Sequence, residues 1–148
     1  MSTDRTLAVG ADHAGYLLKD QLAQAARDAG WTVIDCGTNT ATSCDYPDFA
    51  HAVCQRLEAG AATFGLLVCG TGIGMALAAN RHPTIRCAQA RDVTEARLAR
   101  QHNNANILAL GARLTGDAVA LDCLSTFLAT AYEGGRHDRR LAKLNPPT

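Results

Sequence analysis

A thiol and three alternating glycines follow an apolar stretch near the middle of the chain. Residues 64–68 are largely apolar, Cys69 comes next, and glycines at positions 70, 72 and 74 precede an alanine-rich segment. Glycine tolerates positive φ and lets the backbone approach a ligand closely. The pattern predicts a buried strand, a tight turn and a helix N-terminus, whose N–H groups favour negative charge. Cys69 is then expected at the strand's carboxyl end, on the lip of an anion site.

Strand-like and helix-like segments alternate along the whole chain. The strands are predicted at residues 5–11, 31–36, 64–68, 84–90 and 105–110. The helices are predicted from residue 16 to a stop at Gly30, over 46–60 and 73–81, from a cap at Asp92 or Thr94 to Arg100, and over 118–132 after a cap at Thr115 or Asp117. Such alternation predicts a parallel sheet covered on both faces. We expect an α/β fold: one Rossmann-like three-layer α/β/α sandwich with a five-stranded parallel sheet over 1–148, in which 134–148 form a basic tail.

Composition excludes several classes of partner. The 148 residues carry no formal net charge, so nothing favours nucleic acid or an anionic membrane surface. We find no N-terminal signal pattern and no apolar run of roughly 18 residues that could span a bilayer. The six cysteines form no CxxC pair, and no HxxxH or HExxH motif or carboxylate cluster indicates a metal. We therefore expect a cytoplasmic protein with reduced thiols and no metal ion.

Ligands of open parallel sheets bind outside the carboxyl ends of the strands. Applied to the predicted strands, this rule brings four groups of polar residues to one edge. They are Asp12 and His13, the loop before Tyr46, the turn at 69–74, and His102 with Asn103. The sequence therefore predicts a single site along that edge.

The glycine turn fits some phosphate-binding motifs and not others. A dinucleotide fingerprint should follow the first strand and have an acidic residue about 20 positions on, which is not the case here. A phosphotyrosine-phosphatase loop needs an arginine where this chain has Met75. A generic anion or enolate cradle fits, and so does a strand–helix turn that binds nothing.

The candidate side chains also have ordinary structural interpretations. Cys69 could be a core residue, although a helix N-terminus stabilises a thiolate. Asp12 could cap a helix, and His102 and Asn103 could be solvated. His51 and His82 have no evident partner. Arg113, Arg136, Arg139 and Arg140 could be a solvated basic set or could bind phosphate, which suits the planar guanidinium. From the residues alone we expect an α/β enzyme for a small anionic metabolite.

Motifs spread over nearly the whole chain resemble the type B ribose-5-phosphate isomerases, a family that includes the galactose-6-phosphate isomerase subunits. They are GADHAG at 10–15, DCGT at 35–38, DYP at 45–47, CGTGIG at 69–74, AAN at 78–80, QHNNAN at 101–106 and GGRH at 134–137. The resemblance implies interconversion of ribose 5-phosphate and ribulose 5-phosphate through an enediolate, without a metal or organic cofactor. An isomerase of a six-carbon sugar phosphate, such as allose or galactose 6-phosphate, and a non-catalytic sugar-phosphate-binding subunit stay open as alternatives.

The resemblance also implies roles for individual residues. Cys69 matches the family's catalytic base; some members use a glutamate at the position of Met75, which cannot accept a proton. Thr71 is expected at the reacting oxygens, and Asp12 and His102 are expected to open the sugar ring. The substrate-binding set implied is His13, Tyr46, Gly70, Gly72, Ile73, Gly74, Asn103, Arg113, Arg136 and Arg140, in which the turn's N–H groups form an oxyanion hole and His13 and the arginines bind phosphate.

Family members are homodimers, sometimes tetramers, with the active site at the subunit interface. The resemblance therefore implies that His102, Asn103 and Arg113 reach the site from the subunit opposite Cys69.

Overall fold

A computed structural model describes residues 5–148; residues 1–4 of the predicted domain lie outside the described part. The strands are β1 (Thr6–Ala11), β2 (Thr32–Asp35), β3 (Phe64–Cys69), β4 (Cys87–Gln89) and β5 (Ile107–Gly111). The helices are α1 (Tyr16–Asp28), α2 (Tyr46–Glu58), α3 (Ile73–Ala79), α4 (Val93–Asn103), α5 (Asp117–Ala129) and α6 (Arg136–Leu141).

The five strands form one parallel sheet in the order β2-β1-β3-β5-β4. One apolar core lies between the sheet and α1, α4 and α5. A second core lies on the side of α2 and α3. The predicted α/β/α sandwich with a five-stranded parallel sheet is therefore confirmed. No helix of residues 5–148 is both long enough and apolar enough to cross a lipid bilayer.

Several predicted helix ends are wrong, and the end of α4 matters for function. The polar stretch after Arg100 was expected to be a loop, yet α4 continues to Asn103 and ends at Asn104, whose φ of 44° is left-handed. The Asp92 cap is confirmed, since its side chain accepts a hydrogen bond from the Glu95 N–H. Helix α5 is capped by neither Thr115 nor Asp117, because the backbone of Gly116 holds that position.

Helix α1 buries a charged side chain that its sequence pattern assigns to the polar face. Lys19 is fully buried, whereas Ala29, expected on the apolar face, is exposed beyond the helix end. The Lys19 Nζ lies 2.8 Å from Asp35 Oδ1 and 2.8 Å from Asn39 Oδ1. A buried ammonium needs such partners because desolvation is otherwise costly. Lys19 therefore joins α1 to the end of β2 and the loop that follows.

The sheet order creates a switch point between β1 and β3. The chain proceeds from β1 outward to β2 and returns on the other side of β1 to form β3. Crevices for ligands open at such points, outside the carboxyl ends of the two strands. The segments that leave these ends are Asp12–His13 and the glycine turn.

Candidate active site

The sulfur of Cys69 is held by the turn that follows it. Cys69 ends β3, and Gly72 adopts a left-handed φ of 82°. This conformation turns the Gly72 N–H back to the Cys69 Sγ at 3.1 Å. A backbone donor at this distance stabilises negative charge on sulfur. Cys69 is 4 % exposed, so the thiol borders the second core on one side and the turn on the other.

The four amides from Thr71 to Gly74 are not equally available to a ligand. The Gly72 N–H is committed to the Cys69 sulfur, and the Ile73 N–H donates to Thr71 Oγ1 at 3.2 Å. Within residues 5–148 the amides of Thr71 and Gly74 donate to no other group. An oxyanion hole built from this turn therefore has two amides ready, rather than the four that the motif suggested.

Two expected binding residues pack directly on the glycine turn. A Cβ added to Gly74 would lie 2.6 Å from the Tyr46 ring, so the tyrosine at the start of α2 covers the first turn of α3. A Cβ on Gly70 would lie 3.2 Å from Arg113 Nη1, and the Arg113 N–H donates to the Gly70 carbonyl at 2.9 Å. Arg113 thus sits beside Cys69 of its own chain. The β5–α5 connection is hydrogen-bonded to the glycine turn, and a contribution of Arg113 to the site of an opposite subunit stays a prediction.

Asp12 and His13 leave the carboxyl end of β1 beside this turn. The Asp12 N–H donates to the Val68 carbonyl, and Asp12 Oδ1 accepts hydrogen bonds from the N–H groups of Ala14 and Gly15. The carboxylate thus shapes the turn into α1, as its capping interpretation suggested. Since Gly15 is the N-cap residue, Asp12 acts on the turn before the helix.

The tautomer of His13 follows from its backbone partner. The Cys44 N–H donates to His13 Nδ1 at 3.2 Å. An acceptor Nδ1 carries no hydrogen, so the ring hydrogen resides on Nε2. His13 therefore presents an N–H donor through Nε2 while its other nitrogen is bound to the loop at 37–45.

Burial raises the pKa of four other thiols of the chain. Burial raises the pKa of Cys54 to about 12 and that of Cys123 to about 11. Burial also raises the pKa values of Cys36 and Cys87. These groups stay protonated at neutral pH and are poor bases and nucleophiles. All six cysteines are unpaired, as expected of reduced thiols.

His102 and Asn103 do not lie at the edge where the sequence placed them. They end α4, which leads into β5 at its amino end, whereas Cys69 pairs with Gly111 at the carboxyl end of β5. Five strand residues span about 16 Å. Within one chain, His102 and Cys69 are therefore at opposite edges of the sheet. The prediction of one common edge is wrong because residues 101–104 precede β5 and therefore lie at the amino end of that parallel strand.

A buried arginine organises this second edge. Arg100 is 7 % exposed and donates to the backbone carbonyls of Ala105 and Thr130 at 2.7 and 3.1 Å. These bonds hold the end of α4 against the end of α5. Sequence analysis missed this residue, since an arginine near a helix C-terminus is ordinarily solvent-exposed.

The basic tail packs against the end of α4. The rings of His102 and His137 stack with centroids 4.5 Å apart, and the Glu133 N–H donates to the Gln101 carbonyl. Arg136 and Arg140 are exposed on α6 beside this stack. The chain thus carries two sets of candidate residues. We call Asp12, His13, Tyr46, Arg113 and the turn at 69–74 the carboxyl-edge set, and His102, Asn103, Arg136 and Arg140 the amino-edge set.

His51 and His82, for which the sequence indicated no partner, contact each other. His51 Nδ1 and His82 Nε2 are 2.7 Å apart, and His82 Nδ1 lies 3.0 Å from Glu58 Oε2. This chain of three side chains links α2 to the segment after α3.

The fold and the carboxyl-edge set define an α/β protein with a glycine-rich turn at its switch point. A sequence profile described as Ribose/Galactose Isomerase matches residues 7–144. The chain is 38% identical to ribose-5-phosphate isomerase B of Escherichia coli over 137 residues, which cover 93% of this chain and 92% of that protein. It therefore belongs to the ribose/galactose isomerase family and is a sugar-phosphate isomerase.

Solved structures of related proteins agree. The ribose 5-phosphate isomerase of Thermotoga maritima aligns with a TM-score of 0.93 at 45% identity, covering 95% of this chain and 97% of that one. The type B enzyme of Trypanosoma brucei aligns with a TM-score of 0.92 at 43% identity, covering 95% of this chain and 97% of that one. The similarity extends over nearly the full length of the compared chains.

Proposed function

We propose that this protein interconverts ribose 5-phosphate and ribulose 5-phosphate without a metal ion or organic cofactor. The observation that carries the proposal is the Cys69 sulfur at the switch point, hydrogen-bonded to the Gly72 N–H at 3.1 Å. The names of the E. coli, T. maritima and T. brucei relatives support this five-carbon substrate.

Cys69 acts as the base in this mechanism. The thiolate removes the proton on carbon 2 of the open-chain aldose, and the electrons of the broken C–H bond form the enediolate. The Cys69 thiol then returns the proton to carbon 1, while the hydroxyl proton of oxygen 2 passes to oxygen 1 through the Thr71 hydroxyl, which gives the ketose. The Gly72 N–H steadies the sulfur whenever it carries negative charge.

The turn stabilises the enediolate that forms beside the sulfur. The amides of Thr71 and Gly74 are available as donors, and a donor of this kind contributes about 3–4 kcal/mol in known cases. The Thr71 hydroxyl can still donate while its oxygen accepts from Ile73. Thr71 is therefore the side chain suited to the reacting oxygens.

Ring opening and substrate binding use both sets. Asp12 and His102 serve as the acid and base that open the ring. His13 donates through Nε2, and Arg113, Arg136 and Arg140 add positive charge for the phosphate. Tyr46 and Asn103 position the sugar hydroxyls. Holding the unreactive end in this way places carbon 2 near the sulfur.

The two sets belong to one site only if two chains contribute. Because His102 and Cys69 lie at opposite edges of the sheet, the amino-edge set of one subunit meets the carboxyl-edge set of another. We therefore propose a homodimer, or a tetramer of such dimers, with shared active sites. Exposed apolar side chains on α3, Ile73 and Leu77, are 50% and 58% exposed next to the turn and suit such an interface.

A coupled assay with five-carbon and six-carbon aldose phosphates, with and without a chelator, tests the proposal. We expect turnover of ribose 5-phosphate that the chelator does not change. Preference for allose or galactose 6-phosphate would instead support the six-carbon isomerase. Absence of turnover with every substrate, despite binding, would favour the non-catalytic subunit.

Cys69→Ala tests the role of the base. We expect the variant to lose isomerisation while it still binds ribose 5-phosphate in calorimetry, because the phosphate ligands are untouched. The control is Cys36→Ala, which removes a thiol outside both sets and should keep full turnover. Unchanged turnover in Cys69→Ala would exclude Cys69 as the base.

A further inference from the structure

His102, Glu133 and His137 form a cluster that the isomerase mechanism does not fully use. Glu133 Oε1 lies 4.0 Å from His102 Nε2 and 3.6 Å from His137 Nε2. One donor atom from each of the three residues lies within 4.8 Å of the others. The stacked imidazoles thus present their Nε2 atoms to the same carboxylate oxygen.

The buried member of this cluster has an unused nitrogen. The side chain of His137 is 8% exposed, and its Nε2 has no hydrogen-bond partner among residues 5–148. The 3.6 Å separation from Glu133 is too long for a hydrogen bond. A buried polar atom without a partner is costly, so this nitrogen is suited to a ligand.

The second histidine–glutamate cluster of the chain differs in this respect. His82 uses both ring nitrogens, one toward His51 at 2.7 Å and the other toward Glu58 at 3.0 Å. Its donors satisfy one another and do not converge on a common point. The cluster of His51, His82 and Glu58 is therefore closed by its own hydrogen bonds, whereas the cluster of His102, Glu133 and His137 keeps a nitrogen available for a ligand.

We propose that His102, Glu133 and His137 bind a zinc-type divalent cation. Two imidazoles and one carboxylate are a donor set that Zn²⁺ accepts, with ligand distances of about 2.0–2.2 Å and a fourth position left open. Tetrahedral geometry at such distances puts ligand atoms about 3.3 Å apart, close to the 3.6 and 4.0 Å that separate Glu133 Oε1 from the two histidine Nε2 atoms. The side chains of His102 and Glu133 are 38% and 45% exposed and can close around the ion.

Metal binding would compete with catalysis. A cation on His102 Nε2 occupies the lone pair that ring opening requires. This consequence rests on the proposed function, whereas binding of the ion does not. The site therefore makes the isomerase sensitive to inhibition by zinc-type ions, although its own reaction uses no metal.

Titration of the full-length, chelator-treated protein with Co²⁺ tests the site without reference to activity. We expect visible d–d bands without the sulfur-to-cobalt charge-transfer band that cysteine ligands produce. Glu133→Gln should weaken Co²⁺ binding at least about tenfold, since even outer-shell changes cost about 10–100-fold. The Glu133 side chain is 45% exposed, so the variant should fold, and Glu58→Gln in the closed cluster is the matched control that should bind normally.

The proposal is overturned if Glu133→Gln and the unchanged protein bind Co²⁺ equally, or if the spectrum shows sulfur ligation. Zn²⁺ should in addition inhibit turnover of ribose 5-phosphate, and Glu133→Gln should need at least about ten times more Zn²⁺ for the same inhibition. If Glu133→Gln loses cobalt binding while the wild-type protein shows no measurable turnover, the proposed function is contradicted and the metal site is still supported.

Discussion

Because Gly74 has no side chain, the ring of Tyr46 can pack directly on the backbone at this position. A Cβ at this position would lie 2.6 Å from two atoms of that ring, closer than carbon atoms pack. Tyr46 is 37% exposed, so its ring is free to move away from α3 rather than unfold the helix. A side chain at position 74 would therefore displace the Tyr46 ring, and its hydroxyl with it, from the start of α3.

We predict that Gly74→Ala lowers kcat/KM for ribose 5-phosphate by about tenfold to a hundredfold, since a displacement of about 1 Å can cost that much. Gly116→Ala is the control, because a Cβ there meets nothing within 4 Å. Steady-state kinetics of both variants provide the measurement. Equal kcat/KM values would mean that the position of Tyr46 does not matter for turnover.

Single residues were predictable where their role is local. The placement of Cys69 followed from its neighbours, because an apolar run and alternating glycines specify a strand, a turn and a helix start. The unavailability of the Ile73 amide was not predictable, since it depends on the rotamer of Thr71. The buried Lys19 and Arg100 escaped detection because each has a partner far along the chain, Asp35 at 16 residues and Thr130 at 30 residues.

Among the helices and loops, the connection at 37–45 depends on α1. Lys19 donates to Asp35 and to Asn39, while the Gly37 carbonyl accepts from Ala11 in β1. The same loop donates the Cys44 N–H to His13. A charged residue in the middle of α1 thus sets the position of a loop that orients a proposed phosphate ligand.

Lys19→Ala should lower the free energy of unfolding by about 3 kcal/mol, because it leaves Asp35 without its buried counter-ion. It should also raise KM for ribose 5-phosphate through the loosened loop. Urea denaturation and steady-state kinetics measure the two effects. Lys143→Ala, at an exposed position, should change stability by less than about 0.5 kcal/mol. A urea midpoint for Lys19→Ala equal to that of the unchanged protein would contradict this account.

Helix and strand types were predictable from hydrophobic pattern, but their ends were not. The polar stretch after Arg100 resembles a loop because it lacks apolar residues, yet α4 continues since Arg100 anchors its last turn to Ala105 and Thr130. The wrong edge for His102 and Asn103 has a different cause: they precede β5, and the crossover through α4 returns the chain to the amino ends of the strands. The rule that ligands bind outside the carboxyl ends of strands applies to segments that follow a strand, and the segment with His102 and Asn103 precedes one.

For the whole molecule, the sheet topology leads to a proposal of shared active sites, which can be tested by mixing two inactive variants. Cys69→Ala and His102→Ala should each be inactive, because each damages every shared site. Subunits exchanged between the two variants form hybrid dimers in which one of the two sites is intact. Random pairing of equal amounts should restore about one quarter of the normal activity.

Activity after unfolding and refolding the mixed variants is the measurement, and each variant refolded alone is the control. Failure to recover activity, with hybrids demonstrated by mass spectrometry, would place His102 and Cys69 of one chain in the same site. That result would require the two edges of the sheet to be bridged in a way that the topology opposes.

Under the proposed function, the separation of the two edges also makes the activity depend on protein concentration. With the shared sites that we propose, a monomer holds every catalytic group but no complete site, since about 16 Å of sheet keeps the groups apart. Specific activity should therefore fall when the protein is diluted below the dissociation constant of the dimer. In a cell that contains few copies, a larger share of the chains would be monomers, and the activity per chain would be lower.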